Sequence, residues 1–282
     1  MSFRYERPET LAQATALLAA GDARVLAGGT DLMIALHAPP QPAVLVDVKR
    51  IPELGGITWT KDGALSIGAC VQVQRIAEDA RIREVFPALA EGAEAIGSLQ
   101  IRSRATIAGN LANASPCMDT APPLLVLGAS LRILGRKGER TAPLSDFFVG
   151  VKQTALAPEE LVTAVTLPKP APGLRSAFDK IKRVWGHDLA LVNAAAAHDP
   201  GSRTLRVAVG SCAITPVLVP ALAGVGASAD ARETGERLAA LALEHIRPID
   251  DIRASAEYRR EMTALLCRRL AARLFGGAGR RS

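Results

Sequence analysis

Two short glycine-centred segments carry the residue types that could do chemistry. The first is Ala27-Gly28-Gly29-Thr30-Asp31, directly after the apolar run Arg24-Val25-Leu26. The second, Thr106-Ile107-Ala108-Gly109-Asn110, lies far along the chain. Glycine lacks a Cβ and tolerates positive φ, so backbone N–H groups can converge on an anion at such turns. Thr30, Thr106 and Asn110 add short side-chain donors. Brought together in space, the two turns could wrap a pyrophosphate without any lysine or arginine. Taken singly, each also reads as an ordinary tight turn. No Gly-Lys-Ser/Thr follows either of them and G-x-G-x-x-G is absent, so the two familiar phosphate loops are excluded.

Metal and nucleophile chemistry finds less support. Cys70, Cys117, Cys212 and Cys267 form no CxxC pair, and no histidine lies nearby at zinc-ligand spacing. They read as buried or half-buried thiols. An iron–sulfur cluster would have to come from another chain. His37, His187, His198 and His245 do not cluster, and none is assigned a catalytic role.

The elements that must position the turns follow from composition and periodicity. With 282 residues, 49% hydrophobic and 22% charged, the chain reads as about two globular domains. No stretch approaches the roughly 18–20 apolar residues of a membrane span. The N-terminus MSFRYERPET has no apolar h-region, so no signal peptide is visible and the expected location is cytoplasmic. The net charge of +6 is spread over pairs such as Arg102/Arg104, Arg259/Arg260, Arg268/Arg269 and Arg280/Arg281. Basic residues are not interleaved with aromatics, which are only 4% of the chain, so nucleic-acid binding is not expected.

Pro8 and Glu9 suit the first turn of a helix that carries Leu11, Ala14, Leu17 and Leu18 and stops at Gly21. Strands are predicted at 24–27, 43–48 and 63–69, and helices at 71–80 and 87–96. Residues 101–110 alternate as an extended segment would and stop at Gly109. Residues 113–123 read as a long irregular loop. Further strands are predicted at 130–134, 162–167, 178–184, 189–198 and 205–211. Two helices follow, at 232–242 and from Tyr258 to a stop at Gly276-Gly277. Three prolines within 168–172 mark a linker. Strands and helices mix without a regular βαβ repeat, which predicts an α+β fold.

Several of these segments, taken together, resemble one family. Residues 25–32 (VLAGGTDL), 101–110 (IRSRATIAGN) and 111–122 (LANASPCMDTAP) look like the FAD-binding medium subunit of molybdenum hydroxylases, of xanthine dehydrogenase and carbon monoxide dehydrogenase type. The resemblance continues through 144–150 (LSDFFVG), 156–167 (LAPEELVTAVTL), 178–193 (FDKIKRVWGHDLALVN) and 253–262 (RASAEYRREM), so it spans nearly the whole chain.

The resemblance implies a two-subdomain FAD-binding fold of the vanillyl-alcohol oxidase type over 1–170, with FAD between the subdomains. It implies a C-terminal α+β domain over 174–282, a three-stranded sheet plus a helical bundle. Val25, Leu26, Ala27, Gly28, Gly29, Thr30, Asp31 and Leu32 would hug the FAD diphosphate, the missing side chain of Gly28 leaving it room. Thr106, Ile107, Ala108, Gly109 and Asn110 would close over it from the other side. Asp119 would take a ribityl- or ribose-binding role, Ile96 would lie near the flavin, and Leu161 and Lys180 would meet the isoalloxazine end. Outside that frame Asp119 reads as a turn-former, Lys180 as a solvated strand residue, and Asp188 as a structural hydrogen-bonding group.

One residue departs from the family pattern. Ala108 stands where the family usually carries the first glycine of T-I-G-G-N. Positive φ there would cost alanine about 1 kcal/mol or more, so φ is expected to be negative. The implied role is electron transfer from 2Fe–2S clusters of a small subunit, fed by a molybdopterin large subunit, through FAD to an external acceptor. The heterotrimer could itself dimerise. This chain would supply no catalytic acid, base or metal ligand. The alternatives are a self-sufficient flavoprotein oxidase or reductase, and a non-catalytic assembly subunit without FAD.

Overall fold

A computed structural model describes residues 3–276, so Gly277 and the Arg280/Arg281 pair lie outside the described residues. The chain opens with β1 (Arg4–Glu6), α1 (Leu11–Ala19), β2 (Ala23–Leu26), α2 (Leu32–Ala35) and β3 (Val44–Asp47). The first helix begins after Thr10, not at Pro8. Thr10 Oγ1 accepts from Gln13 N–H while the Gln13 side chain takes the Thr10 N–H, a reciprocal cap that sets the start. The three strands form a parallel sheet in the order β1-β3-β2. Central β3 is buried at every position, as a strand covered on both faces must be.

Next come β4 (Ile57–Trp59), β5 (Leu65–Gly68), α3 (Val73–Glu78), α4 (Ala80–Val85), α5 (Pro87–Glu94), α6 (Leu99–Arg102), α7 (Ile107–Ala112) and α8 (Ala121–Val126). The alternation of residues 101–110 is thus misleading, because the segment is largely two short helices. Thr106 decides this by capping α7, its hydroxyl accepting from Gly109 N–H at 3.2 Å. An isolated bridge between Gln72 and Thr106 is the extended pairing left there.

Then follow β6 (Ser130–Gly135), β7 (Gly138–Pro143), β8 (Phe148–Gly150), β9 (Gln153–Thr154) and β10 (Leu161–Leu167). An antiparallel sheet runs β4-β5-β10-β6-β7, with the apolar β10 at its centre. Edge strand β7 reads GERTAP and is largely exposed, so it carries no hydrophobic period to predict it.

The last part holds β11 (Arg175–Ile181), β12 (Val192–Asp199), β13 (Thr204–Gly210), β14 (Val217–Leu218), β15 (Leu222–Ala223), α9 (Ala231–His245) and α10 (Ala256–Phe275). Three long antiparallel strands, β11-β12-β13, are extended on β13 by the two short ones. Sheet residues Val192, Ala194, Ala196, Val207 and Val209 share one core with Leu238, Leu266 and Leu270 of the two helices. The helices pack closely because α9 carries Gly235, where a Cβ would lie 3.0 Å from the Arg268 Cα. No described helix is long and apolar enough to cross a membrane.

Two compact units result. One takes the chain up to Arg75, Leu99–Ala114 and Ala129–Lys169. The other takes Ile76–Ser98, Ser115–Gly128 and the chain from Pro170 on. In the second unit a buried arginine gathers three loops. Arg259 Nη1 donates to the carbonyls of Leu191 (2.8 Å) and Ser211 (2.9 Å), and Nη2 to Asp251 Oδ1 (2.8 Å). Burial alone would raise the Asp251 carboxyl. The N–H groups of Arg253 and Ala254 and the guanidinium groups of Arg253 and Arg259 overcome it and hold the group well below the usual carboxylate range.

Replacing Arg259 takes its donors from the Leu191 and Ser211 carbonyls and one of its two guanidinium partners from Asp251. Arg259→Met is expected to cost about 3–5 kcal/mol, read as a fall in the denaturant midpoint. A depressed Asp251 pKa adds stability above the unfolded value of about 3.9, lost as pH falls below it. Asp251→Asn should therefore flatten the acid limb of a stability-versus-pH curve.

Candidate functional site

The first glycine turn leaves the carboxyl end of β2 and enters α2. Gly29 sits at φ +76°, a conformation glycine adopts without the Cβ clash other residues suffer. Gly28 serves a different need. A Cβ there would lie 2.1 Å from the Arg104 carbonyl oxygen and 2.9 Å from the Ala105 Cα. The first turn therefore lies directly against the backbone that leads into the second, and the two distant segments meet within one unit. The missing side chain of Gly28 thus makes room for the Arg104 carbonyl.

The backbone donors of the two turns are used differently. In the second turn the fold consumes them. Ile107 N–H donates to Val71 O (3.1 Å), Ala108 N–H to Ala69 O (3.4 Å) and Asn110 N–H to Thr106 O (2.9 Å). Gly109 N–H goes to the Thr106 hydroxyl. A Cβ on Gly109 would crowd that hydroxyl at 2.8 Å, so glycine here protects the cap. In the first turn, among the described residues, no backbone carbonyl takes the N–H groups of Gly28, Gly29, Thr30 or Asp31. The unspent amides are thus in residues 28–31, and residues 105–108 brace them.

Ala108 lies inside α7 and is absent from the positive-φ positions, so alanine carries no left-handed strain there. Helix α7 packs on β5 and on β10, the strand that Leu161 opens. Leu161 itself is buried opposite Leu134.

Of the remaining expected residues, Ile96, Asp119 and Lys180 belong to the second unit. Here the structure brings charged groups together. Asp119 Oδ2 accepts from Lys180 Nζ at 2.7 Å, and its Oδ1 accepts from Asn193 Nδ2 at 2.7 Å. Lys180 Nζ also donates to the carbonyl of Ala95, next to Ile96, at 3.1 Å. The Lys180 and Asp119 side chains are 8% and 6% exposed, so Lys180 is not the solvated strand residue of the bland reading. Asp119 forms a buried ion pair, which a turn-former would not. Burial pushes its carboxyl up, and Lys180 and Asn193 offset only part of that.

Two positions that sequence reasoning did not single out hold this cluster. Gly92 of α5 admits the Asp119 backbone, since a Cβ would lie 2.6 Å from the Asp119 carbonyl oxygen. Asn193 of β12 stands opposite Lys180 of β11 in register. The only signal for Asn193 was its place at the end of the HDLALVN motif. Lys180 also lines an open cleft of about 360 Å³ with Ala95, Phe178, Lys182 and Arg273.

Other polar groups are structural. Asp188 accepts from the N–H groups of Arg183 (3.1 Å) and Leu189 (2.9 Å) and ties the β11–β12 loop, as expected. His198 is fully buried between the Val225 carbonyl (3.0 Å) and Arg175. Cys70 is half-buried and the other three cysteines are buried. Burial pushes the Cys70 and Cys212 thiols up to about 11 and Cys267 to about 12, which keeps them protonated and poor ligands.

The donor set suits an anionic, phosphate-bearing cofactor. Free N–H groups on a glycine turn form an anion-binding concavity without a formal positive charge. The turn also lies at the carboxyl end of a parallel strand, where open sheets commonly receive ligands. Such a fold and site suit a cofactor-binding protein.

Comparison with known proteins gives the family. Residues 1–170 match the FAD binding domain in molybdopterin dehydrogenase, and residues 176–274 match the CO dehydrogenase flavoprotein C-terminal domain. The chain is 32% identical to the xanthine dehydrogenase FAD-binding subunit of Escherichia coli O157:H7, over 98% of this chain and 97% of that one. Its structure is similar to carbon monoxide dehydrogenase from Hydrogenophaga pseudoflava (TM-score 0.91, 30% identity, 98% of each chain covered). It is also similar to quinoline 2-oxidoreductase from Pseudomonas putida 86 (TM-score 0.89, 30% identity, 99% of this chain and 98% of that one). The chain belongs to the family of FAD-binding medium subunits of molybdenum hydroxylases, which are oxidoreductases.

The two turns respond to mutation to different degrees. Gly28→Ala drives a methyl into the Arg104 carbonyl. It should lower stability by at least the roughly 1–3 kcal/mol of ordinary overpacking and reduce flavin retention with it. Ala108→Gly should leave flavin content unchanged and cost about 0.5–1 kcal/mol, because it places glycine in a helix. Melting curves and flavin-to-protein ratios of both variants check this.

Proposed function

We propose that this chain is the electron-exit subunit of a multi-subunit molybdenum hydroxylase. In this reading the N–H groups of Gly28, Gly29, Thr30 and Asp31 hold the FAD diphosphate. Val25, Leu26, Ala27 and Leu32 shape the turn, and Thr106, Ile107, Ala108, Gly109 and Asn110 brace it from behind. Ile96, Asp119, Leu161 and Lys180 serve the ribityl and isoalloxazine part. FAD supplies the redox chemistry when bound, and the protein supplies binding, orientation and electrostatics. Residues 1–170 form the FAD-binding domain and 174–282 the C-terminal domain.

Electrons arrive from 2Fe–2S clusters in a small partner subunit, fed by a molybdopterin centre in a large one, and leave to an external acceptor. The complex works in the cytoplasm. The partner assignment is supported by relatives that are themselves subunits or medium chains. It is also supported by this chain's cysteines, which are scattered, with the Cys70, Cys212 and Cys267 thiols pushed up by burial. Nothing in this chain needs to act as acid or base on the organic substrate.

The observation that carries the reading is the close approach of Gly28 to Arg104, which places an unspent set of amides on a rigid backing. The test is purification of the chain with its partners. One FAD per chain, with iron and molybdenum held by two other subunits, is the expected result. A flavin-loaded chain that oxidises an organic substrate alone would instead make it a self-sufficient enzyme. A colourless complex that takes up no FAD would leave it an assembly subunit.

A further inference from the structure

Asn193 is fully buried, and its amide is oriented by acceptors on one side only. Nδ2 donates to Asp119 Oδ1 at 2.7 Å and to the Met118 carbonyl at 3.1 Å. Its Oδ1 has no hydrogen-bond partner among the described residues. An unsatisfied buried oxygen costs free energy, and an apolar side chain would avoid that cost. Turning the amide over does not help, because Oδ1 would then face the Met118 and Asp119 oxygens. The neighbouring strand accommodates this arrangement. Gly210 pairs with Asn193, and a Cβ on Gly210 would lie 2.1 Å from the Asn193 Oδ1. A glycine on β13 and an orphan oxygen on β12 thus accompany two N–H bonds to the 118–119 segment.

Those bonds act on Lys180. Asp119 has two oxygens, one held by Asn193 and the other by Lys180. With Oδ1 pinned, the carboxylate cannot rotate away, and Oδ2 stays on Nζ. Lys180 spends a second donor on the Ala95 carbonyl. An ammonium has three donors, so one N–H remains.

We propose that Asn193 is a positioning residue. It locks the Asp119 carboxylate so that Lys180 holds one orientation and presents its third N–H to the electron-rich edge of the flavin. This rests on the reading that the chain binds FAD near Lys180. A cation fixed at that edge stabilises the anionic reduced flavin, so loosening it makes the flavin harder to reduce.

The test uses the purified complex carrying Asn193→Leu, which keeps the bulk and removes the amide. The expected result is a more negative flavin midpoint potential and FAD binding about tenfold weaker, the usual scale of a lost hydrogen bond to a charged group. A potential and FAD affinity equal to wild type, whatever happens to the melting temperature, would overturn the proposal. Asn193→Asp is a second variant of the same shape, placed against Asp119 and opposite Lys180. Sharing a proton with Asp119, it should give a flavin potential with a pH step that wild type lacks, and absence of that step also counts against the proposal. Wild-type complex that binds no FAD would mean that the functional reading has failed, an outcome distinct from either.

Discussion

The first unit depends on a backbone-to-backbone contact with no side chain in it. Gly28 lies so close to the Arg104 carbonyl that a single methyl would overlap it. Interiors are close-packed, so such a contact fixes position to a fraction of an ångström. Its consequence for chemistry is indirect. Because residues 104–108 are tied to Ala69, Val71 and Val73 by their own hydrogen bonds, they form a stiff wall. The wall supports the 28–31 turn without using its N–H groups. A turn held by hydrogen bonds would have spent the donors that a diphosphate needs.

The second unit solves a different problem, that of holding charges out of water. Removing one partner of a buried ion pair costs more than the pair contributes, so buried pairs are better explained by geometry than by stability. The Asp119–Lys180 pair is enclosed by Ala95, Asn193 and the close approach at Gly92. The Arg259–Asp251 pair gathers the loops at Leu191 and Ser211. Residues 189–193 lie between the two clusters, with Leu191 bound by one and Asn193 by the other. Two polar clusters therefore set the same short stretch of chain, at the mouth of the β11–β12 hairpin.

Much of this was legible in the residues, for reasons that can be named. The Gly-Gly turn after β2, the strands β3, β10 and β12 and the last helix all leave strong local signals, since burial and capping act over a few positions. Sequence also showed that Ala108 could be tolerated if φ were negative, and α7 makes it so. What failed was everything set by distant partners. β1 and β7 are short, polar and defined by the neighbours they pair with. The alternation of 101–110 mimicked a strand until the Thr106 cap closed a helix. Gly28 was rightly marked as needing no side chain, but the atom that would collide belongs to a segment far along the chain. Asp119 and Lys180 each read as an ordinary local residue, and only the register of β11 against β12 and the long-range bonds of Asp119 show them meeting at Asn193.

The structure also explains how one module can belong to enzymes of different chemistry. Solved structures named for carbon monoxide and quinoline share this fold at 30% identity. At that level most side chains differ, yet the backbone superimposes closely. A turn that offers main-chain N–H groups over a glycine contact is insensitive to such change, because few of its atoms come from variable side chains. A site that shaped itself to an organic substrate would need those side chains. Elsewhere the polar chemistry is internal, with the Cys70, Cys212 and Cys267 thiols pushed up by burial and His198 bound on both ring nitrogens.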